Sequence, residues 1–309
     1  MIKKNRAYAS IISLTSLLIL LATFNSCSVF DRVEPMASYI YVERFELNTK
    51  ADNSQGSPAN DIVDGWVYVD GNLIGAYELP AMVPVLYEKP ASKTNLPNIT
   101  VLPGIKNNGL SNDRQVYPFY QGYVDSFELV PGNIDTIRPV IEYQSTVEFA
   151  WLEDFEDRSI SLEKSGVNVT EDSIRLVTDA AVIYTDGKNK ISAYVELDTG
   201  LQYFENSTIS RFDLPRNSAV ALEINYNLDV NMQVGLYVYS SAGDIIAQLP
   251  VLDLFKTNGQ WKKTYISLAE DINSPSFTGA EFKIFFAARG TNSKEKSKIY
   301  IDNLKIVHF

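Results

Sequence analysis

The sequence predicts an all-β protein in which a small β-sandwich-like domain is followed by a larger C-terminal β-sandwich or jelly roll. The 309 residues include 18 tyrosines and 15 phenylalanines, and glycine and proline recur at short intervals. This composition is typical of short strands joined by turns. No stretch has the apolar period of a long amphipathic helix. The chain is longer than one typical core requires, so we expect two domains with separate cores.

The first 26 residues are predicted to be a signal peptide. Lys3, Lys4 and Arg6 precede an apolar run over residues 7–24, and the run ends in "FNSC". A transmembrane anchor is the alternative, because the run approaches the length of a membrane span. Small polar residues interrupt the run and a cysteine follows it, which favours a secretory signal.

Cys27 is the only cysteine of the chain, so it cannot form an intramolecular disulfide. The "FNSC" stretch resembles the lipobox of Bacteroides-type lipoproteins, although Phe24 departs from the commonest leucine. This resemblance implies that Cys27 is lipidated and begins a tether over residues 27–37. Ser28, in place of aspartate, is compatible with sorting to the outer membrane. Acyl chains on Cys27 would anchor the protein strongly.

The charge of the chain is acidic. The formal charge is −11, and the segment before Cys27 carries three basic residues and no acidic residue, which leaves −14 on the remainder. An acidic surface argues against nucleic acid as a partner and against electrostatic attachment to anionic lipid. The lipid anchor must therefore hold the protein at the membrane.

Residues 38–146 are predicted to form the N-terminal β domain. The stretch "GWVYVDGNLIGAYELP" predicts a hairpin that turns at Asp70-Gly71. It resembles part of the small PEGA-type β domains, which implies a spacer or interaction module. The segment Leu102–Tyr123 contains a cluster of aromatic residues. Either these aromatics pack on the sheet, or they form a loop that binds a partner.

Residues 147–309 are predicted to form the C-terminal domain from many short strands. The motifs "WLEDFED", "GQWKKTYISL" and "IYIDNLKI" occur in this order. They resemble the carbohydrate-binding-module jelly rolls that have a galactose-binding-like fold. The resemblance implies a module that binds glycans, with first and last strands that meet and often hold a structural calcium ion.

The calcium ligands implied by this resemblance are Asp154, Glu156 and Asp302. Asp154 and Glu156 are expected on one face of the first strand, with Asp302 facing them from the last. Strand alternation places Ile299 and Ile301 on one face of the last strand and Asp302 on the other, with Leu304 and Ile306. A buried carboxylate needs compensation. The alternative to calcium is an aspartate that accepts hydrogen bonds from turn amides or pairs with a lysine.

A sugar-binding face is predicted opposite the core positions of the C-terminal strands. Tyrosine rings stack on sugar C–H faces, and charged or polar groups bind hydroxyls. The alternative is that the rings cover a second sheet face or lie under loops. The candidate ligand-binding residues are Tyr194, Glu196, Tyr237, Tyr239 and Arg289.

Most catalytic chemistry has no candidate residues in this sequence. His308 is the only histidine, which leaves no Ser-His-Asp or Cys-His arrangement and no common zinc set. A carboxylate pair of the glycosidase type is the remaining possibility. The densest acidic stretch, "EDFED", falls where the family resemblance implies calcium, so we do not expect an enzyme.

Two sites of O-glycosylation are predicted. "DTI" at Thr136 and "DSI" at Ser173 resemble the modification sites of Bacteroides-type exported proteins. The alternative is that Asp-Thr and Asp-Ser simply begin turns.

Two functions remain open from the sequence. The first is a non-enzymatic glycan-binding lipoprotein of the outer membrane. The second is a scaffold lipoprotein of an outer-membrane assembly for secretion, motility or nutrient uptake, with no glycan ligand. A cleft lined by Tyr194, Tyr237 and Tyr239 would favour glycan binding, and a flat or covered face would favour the scaffold.

Overall fold

A computed structural model describes residues 35–88, 95–165, 174–186, 188–199, 202–291 and 295–309. It is 51% strand and 3% helix, which confirms the all-β prediction. The predicted signal peptide, Cys27 and Ser173 lie outside the described residues. Among the residues that are described, no helix has the length and apolar character needed to cross a membrane.

The N-terminal part contains three small sheets. They have the strand orders β5-β1-β9, β10-β2 and β4-β3-β6-β7, and β8 also pairs with β6. The strands are β1 (Ser38–Val42), β2 (Glu46–Asn48), β3 (Asp64–Val69), β4 (Asn72–Glu78), β5 (Ala81–Val85), β6 (Asn98–Lys106), β7 (Arg114–Val116), β8 (Tyr123–Ser126), β9 (Ile134–Ile137) and β10 (Val140–Glu142).

The hairpin predicted at Asp70-Gly71 is confirmed. It joins β3 to β4, and the two turn residues have φ angles of 51° and 78°. Two consecutive left-handed residues match the right-handed twist of the flanking strands, and Asp-Gly adopts this turn readily.

The C-terminal part is a sandwich of two sheets. The first has the order β13-β14-β21-β16-β19, with β11 also paired to β21, and the second has the order β12-β15-β20-β17-β18. A short helix, α1 (Ala269–Ile272), follows β19. The strands are β11 (Glu148–Glu153), β12 (Leu162–Lys164), β13 (Arg175–Val177), β14 (Ser192–Leu197), β15 (Tyr203–Thr208), β16 (Val220–Leu228), β17 (Met232–Tyr239), β18 (Ile245–Leu254), β19 (Lys262–Ser267), β20 (Glu281–Arg289) and β21 (Ser297–His308).

Alternate residues of the central strands form the core between the two sheets. Leu222 and Ile224 of β16 and Val234 and Leu236 of β17 are fully buried in one cluster. Because side chains alternate across a strand, the intervening residues of β16 and β17 face away from this core. The sandwich therefore has two outer faces, one on each sheet.

The last strand departs from simple alternation. Ile299, Ile301, Leu304 and Ile306 all belong to the core cluster, so the prediction that Ile301 and Leu304 lie on opposite faces is wrong. The register between β16 and β21 shifts at this point, and Asn303 has a φ of 50°. The β-bulge inserts one extra residue into β21, and the side chain of Leu304 therefore points into the core.

The aromatic segment Leu102–Tyr123 packs within the protein. Tyr117, Phe119 and Tyr120 are 1–3% exposed and join a cluster that also includes Tyr265 and Val307 of the C-terminal sandwich. The packing alternative is therefore correct, and these aromatics are not available to another protein. The interior of the sandwich is a cluster of C-terminal residues only, whereas the N-terminal cluster extends onto Ala221, Tyr265 and Val307 of the sandwich, so the two parts meet through a shared hydrophobic interface.

A buried carboxylate lies at the centre of this contact. Glu223 projects from the outer face of β16 and is 0% exposed. Its carboxylate accepts hydrogen bonds from the hydroxyls of Tyr117, at 2.9 Å, and Tyr143, at 3.0 Å. The Nζ atom of Lys263 lies 2.7 Å from the same carboxylate. Two tyrosines from the N-terminal part are thus bonded to one charge of the C-terminal sandwich.

Lys305 extends this buried network to the N-terminal part. Its ammonium donates to the carbonyl of Ser57 at 2.7 Å and to the hydroxyl of Tyr143 at 3.3 Å. Burial lowers the pKa of Lys305 to about 7, although the nearby negative charge of Glu223 acts to raise it. Burial alone would raise the pKa of Glu223, but Lys263 and Lys305 hold it below its usual value. Glu223 is therefore ionised in the folded protein.

Glu223→Ala is expected to destabilise both parts of the chain together. Loss of the carboxylate leaves Lys263 and two tyrosine hydroxyls buried without their partner, which typically costs about 3–5 kcal/mol. A urea titration followed by tryptophan fluorescence and by circular dichroism should give one shifted transition for both probes.

Glu43→Ala is the matched control, because Glu43 pairs with Arg138 at 3.2 Å on the surface. An exposed pair of this kind contributes at most about 1 kcal/mol. Two separate transitions, with only one of them shifted by Glu223→Ala, would contradict the coupling of the two parts through this interface.

Candidate ligand-binding groove

A groove of about 740 Å³ lies on the outer face of the second sheet, opposite the core. The outward positions of β15, β17 and β20 form it, and β12 and β18 border it. Its lining combines aromatic rings, both signs of charge and uncharged polar groups. The lining residues are Glu163, Lys164, Ser165, Tyr203, Glu205, Ser207, Tyr237, Tyr239, Ile245, Gln248, Lys283 and Arg289.

Glu205 organises the aromatic residues of the groove. Its side chain is 2% exposed and accepts hydrogen bonds from the hydroxyls of Tyr203 and Tyr237, and from Ser165 at 3.1 Å. The pKa of each tyrosine is raised well above its usual value. Burial is the larger cause, and the hydrogen bond to Glu205 is the second. Both phenols therefore stay neutral donors, and Glu205 fixes where their rings lie.

Cations flank the tyrosine rings. The guanidinium of Arg289 lies 5.4 Å from the ring centre of Tyr203, and that of Arg211 lies 4.0 Å from the ring centre of Tyr239. The Nζ atom of Lys283 lies 2.5 Å from a carboxylate oxygen of Glu163. Donors and acceptors for a polar ligand are thus placed around half-buried aromatic rings.

Gly235 on β17 allows the floor of the groove to close. A Cβ atom at this position would lie 2.2 Å from the ring of Phe285 and 2.4 Å from the carbonyl oxygen of Leu249. The ring of Phe285 therefore lies directly over the backbone of β17. Tyr237 packs against this ring with 5.1 Å between ring centres.

Three of the five predicted ligand-binding residues come together in the groove. Tyr237, Tyr239 and Arg289 all line it. Tyr237, however, is only 6% exposed, and its hydroxyl is bonded to Glu205. Its main effect is to shape the floor, whereas the more exposed Tyr239 and Arg289 are open to a ligand.

Tyr194 and Glu196 are not part of this groove, which corrects the prediction of one shared face. Both lie on β14, in the other sheet, and point away from the core on the opposite side of the sandwich. Tyr194 stacks on Tyr300 with 5.9 Å between ring centres, and Glu196 pairs with Lys296 at 2.9 Å. Alternation within each strand places these residues and the tyrosines of β17 opposite the core, but β14 and β17 belong to different sheets of the sandwich.

Sequence reasoning missed Tyr203, Glu205, Gln248 and Lys283. The first two belong to β15, where Tyr203, Glu205 and Ser207 alternate with residues that face inward. The inward set includes Asn206, which is buried but polar. This obscures the apolar alternation that marks a strand, although the outward alternation could have been recognised.

The three predicted calcium ligands have separate hydrogen-bond partners. Asp154 and Glu156 follow the end of β11 and do not share a strand face. Asp154 accepts from Asn53 at 2.8 Å, and Glu156 accepts from the backbone amide of Ile191 at 2.9 Å. Within the described ranges, no three His, Cys, Asp or Glu side chains form a group that could hold a metal ion. These residues do not fit a calcium site as placed, and calcium binding stays a prediction.

Asp302 lies fully buried beside the bulge of β21. It accepts hydrogen bonds from the Ser192 hydroxyl at 2.5 Å, the Asn303 amide at 2.7 Å and the Asn189 side chain at 3.2 Å. Burial outweighs these bonds and raises the pKa of Asp302 to about 8. Asp302 therefore has hydrogen-bond donors within the protein, as the alternative expects, although two of the three are side chains rather than turn amides.

The predicted glycosylation sites are only partly described. Thr136 is exposed on β9, at the edge of the sheet β5-β1-β9, so a modifying enzyme could reach it. Ser173 lies outside the described residues. Modification of either residue stays a prediction.

Asp302→Asn is expected to change how stability depends on pH. The folded pKa of about 8 lies above the unfolded value of about 4, so the folded wild type binds the proton more tightly. Its stability should fall as the pH rises from about 4 to 8, by several kcal/mol in order of magnitude. The asparagine variant has no charge to bury and should lose less over this range.

Chemical denaturation at pH 5 and pH 8 would measure this difference. Asp302→Ala serves as the comparison, because it removes the acceptor of the Ser192 hydroxyl and one of the two acceptors of the Asn189 side chain, and should cost about 1–3 kcal/mol at either pH. Equal pH dependence in wild type and Asp302→Asn would contradict the protonated, buried aspartate. A melting midpoint raised by excess calcium in wild type but not in Asp302→Asn would instead support an ion at this residue.

Comparison with known proteins finds similarity at the level of solved structures. No protein-family model matches the chain, and no curated protein matches it. A structure of carbohydrate-binding modules from the β-sandwich superfamily aligns with a TM-score of 0.39 and 11% identity, over 78% of this chain and 85% of that chain.

Two further structures align over about half of this chain. The CBM22-1 xylan-binding domain of Xyn10C from Paenibacillus barcinonensis has a TM-score of 0.36 and 12% identity, over 52% of this chain and 94% of its own. A family 11 carbohydrate-binding module from Clostridium thermocellum, in complex with a β-1,3-1,4-mixed-linked tetrasaccharide, has a TM-score of 0.35 and 15% identity, over 52% and 94%. At these scores and identities the likeness concerns the β-sandwich arrangement only.

Proposed function

We propose that this protein is a non-enzymatic lipoprotein of the cell envelope that binds a glycan in the groove of its C-terminal sandwich. The observation that carries the proposal is the groove itself, in which half-buried tyrosines stand among charged and polar groups on an open sheet face. Rings of this kind pack on the C–H faces of sugars, and the surrounding groups bind hydroxyls.

The groove is suited to an extended, polar ligand. Its length follows the outward residues of β20 from Lys283 to Arg289, which are six residues apart in one strand. At about 3.3 Å per residue this corresponds to roughly 20 Å. Tyr203 and Arg289 mark one end, and Tyr239 and Lys283 mark the other. A chain of several sugar units would contact both aromatic positions.

The carboxylates of the groove are engaged in ways that favour binding over hydrolysis. Both oxygens of Glu205 accept hydrogen bonds from tyrosines, and Glu163 is paired with Lys283. A general acid needs a raised pKa and access to the glycosidic oxygen, and a nucleophile needs a free carboxylate oxygen beside the sugar. We therefore assign these carboxylates to positioning the rings and cations of the groove.

The anchor of the proposed lipoprotein is Cys27, and its proposed location is the outer membrane. This part of the proposal is supported by the basic, apolar and small-residue pattern that precedes the single cysteine. The groove belongs to the C-terminal sandwich, well over a hundred residues beyond Cys27 in the sequence. A tether at residues 27–37 would thus hold the binding sheet at the membrane without taking part in it.

Tyr239→Ala and Arg289→Ala are expected to weaken glycan binding by about tenfold or more each. Each removes a ring or a charge-assisted donor from one end of the groove. A glycan array of neutral and acidic oligosaccharides would identify a ligand, and titration calorimetry would measure the affinities of the variants.

Tyr194→Ala is the matched control for this experiment. Tyr194 is also half-buried, also lies on an outer sheet face and also has a guanidinium near its ring, that of Arg175 at 5.7 Å. Its loss should leave the affinity unchanged. An array without any bound glycan would favour the scaffold function, and equal losses in all three variants would place the ligand elsewhere.

Cys27→Ser is expected to release the protein from the membrane fraction. Without the thiol, no acyl chain can be attached and the acidic surface gives no attraction to anionic lipid. Fractionation with a salt wash, followed by immunoblotting, measures this. Retention of the variant in washed membranes with an uncleaved signal would support a transmembrane anchor instead.

A further inference from the structure

An uncharged outer sheet face lies at the start of the described N-terminal part. In the sheet β5-β1-β9, the inward residues Ile40, Val83 and Ile137 are buried in the shared cluster. The alternate residues of the three strands point to the outer side of this sheet. They form two rows across the strands. One row is Pro84, Tyr39 and Ile134, and the other is Met82, Tyr41 and Thr136. None of these outward positions carries a charge.

This outward side, together with Met36 and Leu86 at its margin, is called the β1 face below. Its aliphatic residues are strongly exposed, with fractions of 67% for Met36, 66% for Leu86, 59% for Ile134 and 45% for Met82. The first charged pair along the same strands is Glu43–Arg138, at 3.2 Å, beyond the row that contains Tyr41. The apolar surface is greatest between this salt bridge and Glu88, which is exposed two residues beyond Leu86 and borders the face at the end where β1 begins.

The position of the β1 face in the sequence points to what covers it. Met36 follows Cys27 by nine residues, which span at most about 30 Å when fully extended. Any lipid anchor on Cys27 would keep this face close to a bilayer surface. Tyrosine rings with exposed aliphatic neighbours are typical of the membrane interface, where one end of the ring is apolar and the other is wet.

We propose that the β1 face rests on the lipid bilayer and so orients the protein at the membrane surface. This inference depends on the proposed anchor at Cys27 and not on glycan binding. The contact is apolar, because the face has no charge and the chain beyond Cys27 carries −14. It should therefore form on zwitterionic lipid and persist at high salt, unlike an electrostatic attachment.

Site-specific tryptophan quenching tests this contact on the full acylated protein. Met82→Trp places a reporter on the β1 face, and Phe255→Trp places one on the C-terminal sandwich, directly after β18, at an apolar residue that is 69% exposed. Each protein is purified from membranes, its acylation is checked by intact mass, and it is inserted into vesicles of phosphatidylcholine with brominated acyl chains. The three native tryptophans contribute the same background to both proteins.

We expect the bromine-dependent loss of fluorescence to be at least twice as large for Met82→Trp as for Phe255→Trp, and to be unchanged in 0.5 M salt. Adding Leu86→Asp and Ile134→Asp should reduce quenching of Trp at position 82 to the Phe255→Trp level, while the acyl chains still hold the protein on the vesicles. Circular dichroism confirms folding, since both aspartates replace exposed side chains.

Three results would overturn the inference. Equal quenching at the two positions would mean that the protein hangs from its tether without a preferred face. A stable dimer in detergent that the two aspartates dissociate would assign the β1 face to a second copy of the chain. A glycan on Thr136 in the mature protein would stand on the same face and keep it away from lipid, so the predicted modification and the membrane contact exclude each other.

Discussion

The structure depends on one buried charge, the carboxylate of Glu223, which joins the two parts of the chain. Isolated burial of such a group costs several kcal/mol, and here Lys263 and the hydroxyls of Tyr117 and Tyr143 compensate it. Lys263 comes from the sandwich and the two tyrosines come from the N-terminal part, so the full set of partners forms only when the two parts are in contact. The aromatic segment that contains Tyr117 is thereby held against β16, and the two parts share one hydrophobic cluster.

This contact also decides which outer face of the sandwich is available. The first sheet carries Glu223 and Lys305 on its outer side, and the N-terminal part covers that region. Within the described part of the chain nothing covers the second sheet in this way, and its outward residues line an open groove. Both sheets present tyrosines on their outer sides, but only the second combines them with a carboxylate that fixes their rings and with cations at both ends. Burial of one face is thus what makes the other the candidate binding surface.

The groove and the β1 face lie on different sheets of different parts of the chain. The groove is polar and holds its tyrosines through Glu205, whereas the β1 face leaves its aliphatic side chains exposed and carries no charge. The first arrangement suits a ligand with many hydroxyls, and the second suits a surface that offers only apolar contact. A protein held at the membrane by the β1 face would present its glycan site on a separate surface.

The sequence by itself determined the all-β class, the Asp70-Gly71 hairpin and the chemical type of residue expected at a sugar-binding face. These follow from local rules, since turn residues and alternating side chains act over a few positions. It could not determine that Tyr194 and Tyr237 lie on opposite sides of the sandwich, because assignment of strands to sheets depends on long-range pairing. The sequence also could not show the bulge at Asn303. This single inserted residue places Leu304 in the core together with Ile301, whereas simple alternation puts them on opposite faces. Only the tertiary structure brought Glu205 beneath Tyr237, and Glu223 beneath Tyr117, because each of these contacts joins segments that are distant in the chain.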